Sequence, residues 1–189
     1  DWSSDVCSSD LNSLTFKPAL LHRIDRDTTG CIVIVKEKES LEFLLEELQS
    51  GRIEKTYHAI ILWVPAKRNG TFDDKLLRIE NAKNEAKVRV DDEGQKAITH
   101  YEVLKTAQVG KSHGMEISLL ECQIETGRTH QIRVHLSYHD CPILWDSAYG
   151  NRKANAFFRN EYGVKRQLLH AYRLEFTHPK TKPSRSLAV

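Results

Sequence analysis

The chain has 189 residues, of which 40% are hydrophobic and 29% charged, with 28 Lys and Arg against 26 Asp and Glu. This length and composition indicate one globular domain, able to bury about 70% of the surface that its unfolded chain exposes. No apolar run approaches the roughly 18 residues of a membrane-spanning helix, so the composition excludes a helical membrane protein and we expect no membrane partner.

The first eleven residues differ in character from the rest. The run Asp-Trp-Ser-Ser-Asp-Val-Cys-Ser-Ser-Asp-Leu is typical of a translated sequencing adapter. We therefore expect a non-native tail over residues 1–11 and a single domain over residues 12–189, with a natural polar tail as the alternative. Without the three acids of this tail the chain is modestly basic, which suits a polyanionic partner.

The remaining cysteines, Cys31, Cys122 and Cys141, are odd in number and widely spaced, with no C-x-x-C pair. This pattern predicts buried thiols in a reducing cytoplasm and disfavours disulfides or a zinc site.

In chain order, the periodicity of apolar residues predicts many strands and few helices. The first strand covers residues 30–35, and a helix with leucines at positions 41, 44, 45 and 48 follows and stops at Gly51. A second strand covers 55–63, and a loop covers 65–70. Two further strands, 83–90 and 96–105, form a pair joined by the acidic turn 91–94, and the last strands cover 115–124 and 168–177.

Between the last two strands the chain is ambiguous. Thr129 is placed to cap a short helix that runs to Leu136, although Ile132 and Val134 also alternate as in a strand. With strands dominant and little β-α-β alternation, the sequence predicts an α+β domain on a mixed, largely antiparallel sheet with flanking helices.

Two long motifs carry the chemistry. The first is the polar turn His22-Arg23-Ile24-Asp25-Arg26-Asp27-Thr28-Thr29-Gly30, and the second is Glu125-Thr126-Gly127-Arg128-Thr129-His130-Gln131-Ile132-Arg133-Val134-His135. A carboxylate crowded by fixed cations stays ionised, which makes Asp25 a candidate nucleophile or base. In sequence and order, the two motifs resemble those of the RluA family of pseudouridine synthases.

This resemblance implies the pseudouridine synthase catalytic fold, with a central RNA-binding cleft and three catalytic residues. It assigns Asp25 as the residue that attacks the target uridine, and Arg133 as the cation paired with it. In the K-x-Y-x-A segment, it assigns Tyr57 as the aromatic platform for the base, with a contribution to proton removal from C5. Each residue also has an ordinary reading: a turn aspartate, a surface arginine and a tyrosine packed into the core.

The resemblance further implies RNA contacts at Arg23, Arg128 and His130. In related enzymes the position of Arg23 fills the gap left by the flipped nucleotide; a phosphate contact or a salt bridge to Asp27 is the alternative. Residues 126–129 are placed to offer backbone N–H groups to a phosphate, or simply to cap the helix.

Later segments resemble parts of the family scaffold. Asp146-Ser147-Ala148-Tyr149-Gly150 matches its G-D-x-x-Y-G segment, but Trp145 stands where Gly is usual, at a position that Gly suits if φ is positive. A loose basic patch with interleaved aromatic residues follows and is compatible either with RNA contact or with a solvated loop; it contains Arg152, Lys153, Arg159, Lys165, Arg166, Phe157, Phe158 and Tyr162.

The sequence gives little support to a metal or cofactor site. His130 and His135 lie five residues apart, which fits neither one helix face nor one strand face, so we expect no metal site. No cofactor is implied, because the isomerisation of uridine is an internal rearrangement.

The sequence therefore predicts a cytoplasmic, monomeric RNA pseudouridine synthase that uses base flipping. The spacing from Asp25 to Tyr57 resembles the RluC-like enzymes most, which makes 23S rRNA the expected target. The alternatives are a tRNA-directed enzyme and a catalytically inactive RNA-binding fragment. Compared with the family pattern, the domain is expected to be N-terminally incomplete.

Overall fold

The computed structural model describes residues 16–80, 86–110, 114–181 and 184–189, without the side chains of Glu80 and Ala86. The expected non-native tail over residues 1–11 lies outside these ranges, as does Lys83, where one predicted strand begins.

Ten strands and three helices lie in the described part of the chain. In chain order they are β1 (Ala19–Leu20), β2 (Thr29–Gly30), β3 (Ile34–Val35), α1 (Lys38–Gln49), β4 (Glu54–Leu62), β5 (Asn69–Glu80), β6 (Ala86–Val90), β7 (Gln95–Val109), β8 (Met115–Ile124), α2 (Gln131–Tyr138), α3 (Arg152–Tyr162), β9 (Leu169–Thr177) and β10 (Ser184–Ala188).

One sheet dominates the described fold. Its strand order is β10-β9-β4-β8-β7-β5-β6, with every neighbour antiparallel, and the short β2 pairs with β9 in parallel. A separate ribbon pairs β1 with β3. The predicted α+β class and largely antiparallel sheet are confirmed.

The main core lies between this sheet and α2. Buried side chains alternate along β4, where Tyr57, Ala59 and Ile61 point to one face. Ile132 and Leu136, one turn apart on α2, pack against the same cluster. This packing sets α2, which carries much of the second motif, against the strand that carries Tyr57.

A second core anchors α1, which was predicted correctly. Leu44 packs with Ile53, Leu174 and Val35 of β3, and the helix ends near Gly51, whose φ is 73°. Strands β4, β8 and β9 also match their predicted ranges closely.

The predicted pairing of residues 83–90 with 96–105 is wrong. Both β6 and β7 pair instead with β5, a strand that the sequence analysis missed and partly assigned to a loop. Leu76 has partners in both strands, and Gly94 lies against it: a Cβ at Gly94 would be 2.4 Å from the carbonyl carbon of Leu76. The turn 91–94 therefore connects two neighbours of β5 and closes no hairpin.

The predicted strand over residues 30–35 is divided. The N–H of Cys31 bonds to the carbonyl of Ala171, whereas the carbonyl of Val33 accepts from Leu21. Within a few residues, the chain thus ends its pairing with β9 and enters the β1–β3 ribbon. Residues 31–33, between the two, belong to no strand.

The basic patch after Gly150 is largely a helix. The side chain of Asn151 caps α3 by accepting from the N–H groups of Lys153 and Ala154, while Ala154 and Phe158, four residues apart, are buried. Phe158 is therefore a core residue. Strand β10 was also missed, because all five of its residues are exposed and no apolar alternation marks it.

The three cysteines of the described chain are free, as expected. Cys122 and Cys141 are buried, but Cys31 is only partly buried.

Candidate active site

The first motif forms a tight turn that presents the Asp25 side chain. The carbonyl of Asp25 accepts a hydrogen bond of 2.9 Å from the N–H of Thr28, and the buried Thr28 hydroxyl accepts one of 2.8 Å from Gln167. Since the backbone carbonyl closes the turn, the carboxylate is left for other partners.

The end of this turn is held against β9. Thr29 and Gly30 pair in parallel with His170 and Ala171, and the Thr29 hydroxyl lies 2.8 Å from Nδ1 of His170. Gly30 has a φ of 114°, and a Cβ there would lie 2.2 Å from the Ala171 carbonyl oxygen. Only glycine fits this approach, which fixes the position of Asp25 five residues earlier.

Arg133 on α2 contacts two carboxylates. Its Nη1 donates a 3.0 Å hydrogen bond to Asp25, while Nε and Nη2 donate bonds of 2.6 and 3.0 Å to the two oxygens of Asp146. The Arg133 side chain is 9% exposed and that of Asp25 is 23% exposed. Burial acts to lower the pKa of Arg133, but Asp146 and then Asp25 raise it overall, so the guanidinium remains charged.

Asp146 is the buried partner of this pair. Its Oδ1 also accepts from the backbone N–H groups of Ala148 and Tyr149. Burial acts to raise the pKa of Asp146, but the bonds from Arg133 and from these N–H groups lower it overall. Sequence analysis assigned this segment to the scaffold only; the spacing of an Asp before two turn N–H groups was the signal available.

The residue before Asp146 departs from the family pattern. Trp145 adopts a φ of 63°, in the left-handed region that glycine occupies without strain. The Arg159 guanidinium lies 5.9 Å from the centre of the Trp145 ring, and the Trp145 N–H donates to Asn155. The substitution by Trp thus leaves the backbone in the conformation that Gly favours.

Tyr57 lies where β4 and β9 lose their register. Thr56 pairs with Arg173 and His58 with His170, so two residues of β9 stand opposite Tyr57. Such bulges re-aim side chains and are common beside active sites. Burial, and then the charge of Asp25, raise the pKa of Tyr57 to about 12, which keeps the phenol protonated near neutral pH.

The structure brings all six predicted site residues to one cleft. Asp25, Tyr57 and Arg133 line it together with the three predicted RNA-contacting residues, Arg23, Arg128 and His130. Arg23 and Arg128 are exposed, and the Nε of Arg128 donates to the carbonyl of Lys96. The arrangement combines a paired carboxylate, an aromatic ring and a basic rim.

The predicted capping by Thr129 is wrong. The residue before α2 is His130, in a left-handed conformation with φ of 56°, and no side chain in the described part of the protein caps the helix. The Arg128 N–H donates instead to Oε1 of Gln131, which also accepts from the Thr126 hydroxyl. The Arg128 N–H is therefore occupied within the protein.

Lys55 is a further cation that sequence analysis passed over. It lies two residues before Tyr57, so both side chains share one face of β4. A Cβ at Gly127 would lie 3.5 Å from the Lys55 ammonium, and burial lowers the pKa of this lysine. Its place in the K-x-Y-x-A segment was the signal that marked it.

Within the described ranges, no three His, Cys, Asp or Glu side chains group closely enough to hold a metal ion. His130 lines the cleft, whereas His135 is fully buried, with Nδ1 3.0 Å from the Thr99 hydroxyl. No described helix has the length and apolar character needed to cross a membrane.

Comparison with known proteins is consistent with this geometry. A family model described as RNA pseudouridylate synthase matches residues 3–138. The chain is 37% identical, over 86% of its length, to the ribosomal large subunit pseudouridine synthase C of Buchnera aphidicola subsp. Baizongia pistaciae. It is 36% identical, over 88% of its length, to an uncharacterised RNA pseudouridine synthase of Zymomonas mobilis, of which it covers 70%.

Two solved structures share the fold. The human RNA pseudouridylate synthase domain containing 1 superposes over 92% of this chain and 69% of its own, with a TM-score of 0.75 at 21% identity. The human RNA pseudouridylate synthase domain containing 4 superposes over 91% of this chain and 70% of its own, with a TM-score of 0.69 at 29% identity. The chain spans about half the length of most of the curated relatives it matches.

Proposed function

The chain belongs to the RNA pseudouridylate synthase family, as its two motifs predicted, and from this premise we propose that it isomerises uridine to pseudouridine in structured RNA. In this reaction the bond between N1 and C1′ breaks and a bond between C5 and C1′ forms. N1 gains a proton and C5 loses one, so atoms balance without an oxidant, a metal or another cofactor.

The observation that carries the proposal is the 3.0 Å contact between Asp25 and Arg133 inside the cleft. The two residues come from different motifs, 108 positions apart, and the fold sets them side by side. An ionised carboxylate is required whether attack occurs at the sugar or at the base, and a fixed guanidinium favours that charged form. We assign Asp25 as the nucleophile and Arg133 as the cation that pairs with it and orients it.

Tyr57 supplies the platform for the base. Its ring lines the cleft beside Asp25, and an aromatic face stacks on a nucleobase with little regard to sequence. With a pKa of about 12 the phenol is a proton donor at neutral pH, so we do not assign it the role of phenolate base in removing the C5 proton.

The basic rim suits a nucleotide taken out of its stack. A uridine inside a stem is inaccessible, and extruding it costs a few kcal/mol that protein contacts must offset. Arg23 is exposed at the mouth of the cleft, where its planar guanidinium can occupy the vacated position. Arg128 and His130 line the same cleft, and we assign to all three residues contacts with the RNA.

For the target we propose large-subunit ribosomal RNA. Several relatives at 34–37% identity are named ribosomal large subunit pseudouridine synthase C. A tRNA target is the second candidate, and an RNA-binding module without catalysis is the third. The proposal also includes a monomeric protein acting in the cytoplasm, where such RNA is processed.

The test is tritium release from RNA labelled with tritium at C5 of uridine, with large-subunit rRNA and bulk tRNA as separate substrates. The protein is compared with its Asp25→Asn variant. The matched control is Asp27→Asn, which removes an exposed carboxylate from the same turn. We expect release by the protein and by the control, and a loss of several orders of magnitude for Asp25→Asn, with RNA binding retained.

Equal release by the protein and Asp25→Asn would refute the role of Asp25. RNA binding by a folded protein with no release from any substrate would favour the binding module. Release from tRNA alone would identify transfer RNA, and not ribosomal RNA, as the target.

A further inference from the structure

The hydroxyl of Tyr149 connects separate parts of the cleft wall. It accepts a 2.9 Å hydrogen bond from the backbone N–H of Val88 on β6, and it lies 2.9 Å from Nδ1 of His130. The ring of Tyr149 lies against the Arg133 guanidinium, 5.1 Å from its centre. Tyr149 itself does not line the cleft, but it contacts two residues that do.

Counting protons favours one direction for the bond between Tyr149 and His130. The N–H of Val88 is a donor only, so the phenol oxygen is its acceptor. If Nδ1 of His130 also carried a proton, both neighbours would donate to this oxygen, and the phenol proton would have no acceptor among the described residues. An unsatisfied polar group in a half-buried site is unfavourable. This count favours a hydroxyl that donates to Nδ1, with the proton of neutral His130 on Nε2.

The surroundings keep His130 neutral. Burial lowers its pKa; Asp25 and Asp146 act to raise it, and Arg133 and Arg23 act to lower it, with a net lowering. Within the described chain, Nε2 of His130 has no hydrogen-bond partner and is not among the buried unpaired atoms. The left-handed backbone at this residue, with φ of 56°, holds the ring at the cleft.

We infer that Tyr149 is a positioning residue, which fixes His130 in the tautomer that presents a neutral Nε2–H donor to an acceptor oxygen of the RNA in the cleft. The inference rests on the proposed function, because it takes the cleft to hold the target nucleotide. A neutral donor suits this place, since an imidazolium would compete with Arg133 for Asp25. The acceptor is a uracil carbonyl oxygen or a phosphate oxygen.

The tautomer is measured without any enzymatic activity. Nitrogen-15 NMR of the His130 ring distinguishes protonated Nε2 from protonated Nδ1 in the protein without RNA. We expect protonated Nε2 in the protein, and a mixture of tautomers in Tyr149→Phe, which keeps the ring against Arg133 and loses only the hydroxyl. Protonated Nδ1 in the protein would overturn the inference, whether or not the chain makes pseudouridine.

Kinetics then test whether Tyr149 acts through His130. We expect Tyr149→Phe to lower kcat/KM about tenfold, as the loss of one hydrogen bond does. In a His130→Ala background the same change should lower it no further. His130→Asn should retain more activity than His130→Ala, because Asn keeps an N–H donor and tolerates positive φ. The control is Tyr138→Phe, an exposed tyrosine on α2.

A further tenfold loss from Tyr149→Phe in the His130→Ala background would overturn the inference, because Tyr149 would then act only through Val88 or Arg133.

The source of the acceptor is found by measuring binding of His130→Ala to two RNAs, one with 5-fluorouridine and one with an abasic site at the target position. Weaker binding to both RNAs assigns a phosphate, and weaker binding to the fluorouridine RNA alone assigns a uracil carbonyl. Unchanged binding to both would refute the contact.

Discussion

Arg133 gives two of its hydrogen bonds to Asp146 and one to Asp25. The bidentate bond to Asp146 fixes the plane of the guanidinium, since Asp146 is itself held by two backbone N–H groups. The remaining nitrogen, Nη1, is thereby directed to Asp25. The partner of Asp25, the proposed nucleophile, is thus oriented by a carboxylate that lies outside the cleft.

Removing the Asp146 carboxylate should weaken both the fold and the reaction. Asp146→Asn keeps the volume but leaves the buried Arg133 with an amide in place of a charge, which we expect to lower the free energy of unfolding by about 3–5 kcal/mol. Urea unfolding measures this loss. The control, Glu42→Gln, breaks the exposed Lys38–Glu42 pair and should change little.

Lowering the pH should also remove the stabilisation that the Arg133–Asp146 pair provides. Because the pKa of Asp146 is lowered in the folded state, its contribution to stability is present above the unfolded pKa of about 3.9 and is lost as the pH falls through the lower folded value. Unfolding free energies measured from pH 5 downward should therefore fall less steeply for Asp146→Asn than for the parent. Parallel curves would contradict this account.

The buried His135 should cause a second loss of stability on acidification, at a higher pH than the loss that Asp146 causes. It is fully buried, and its Nε2 has no hydrogen-bond partner among the residues that the structure describes. Burial lowers its pKa to about 4, with Asp74 and Asp73 acting to raise it and His139 to lower it. Its contribution is present above the unfolded pKa of about 6.5 and is lost as the pH falls towards 4. His135→Leu should remove this slope from the stability curve, and His100→Gln, at an exposed imidazole, should keep it.

The Tyr57 ring should matter more than its hydroxyl. Tyr57→Leu removes the stacking surface and should lower kcat/KM about ten- to hundredfold, whereas Tyr57→Phe should keep most of the activity. Because the pKa of Tyr57 is about 12, the pH profiles of Tyr57→Phe and the parent should coincide between pH 6 and 10. A parent profile with an alkaline limb near pH 10 that Tyr57→Phe lacks would restore a role for the phenolate.

Trp145 offers a test of backbone strain. Trp145→Gly and Trp145→Ala both lose the ring and its contact with Arg159, but only glycine adopts a φ of 63° freely. The glycine variant should therefore be more stable than the alanine variant by about 1–2 kcal/mol. Thermal or urea unfolding of the two variants measures this difference, and equal stabilities would show that the turn relaxes.

Sequence patterns predicted the parts of this fold in which local and tertiary preferences agree. Alternation along β4 and the leucine spacing of α1 reflect faces that are buried in the structure. The strand β5 was missed because its sequence is rich in charge, and its pairing with both β6 and β7 depends on a close approach at Gly94 that no local pattern reveals.

The residues of the cleft likewise differ in whether the sequence predicted them. The motifs identified Asp25, Tyr57 and Arg133, and the fold brings them together. The contacts of Asp146 with Arg133 and of Tyr149 with His130 were not predicted, because each depends on how the chain folds back against the segment of α2. Thr129 was misassigned as a cap because Gln131 supplies the hydrogen bonds that close this loop.

The parallel pairing of β2 with β9 sets when the site can form during folding. Thr29 and His170 are 141 residues apart, and the turn with Asp25 is held by that contact and by the bond from Gln167 to Thr28, which are 139 residues apart. Contacts of such long sequence separation carry a large loop-closure entropy and form late. In a nascent chain, the segment that carries Asp25 therefore lacks these contacts until β9 is synthesised. Activity of the protein therefore indicates that the pairing of β2 with β9 has formed.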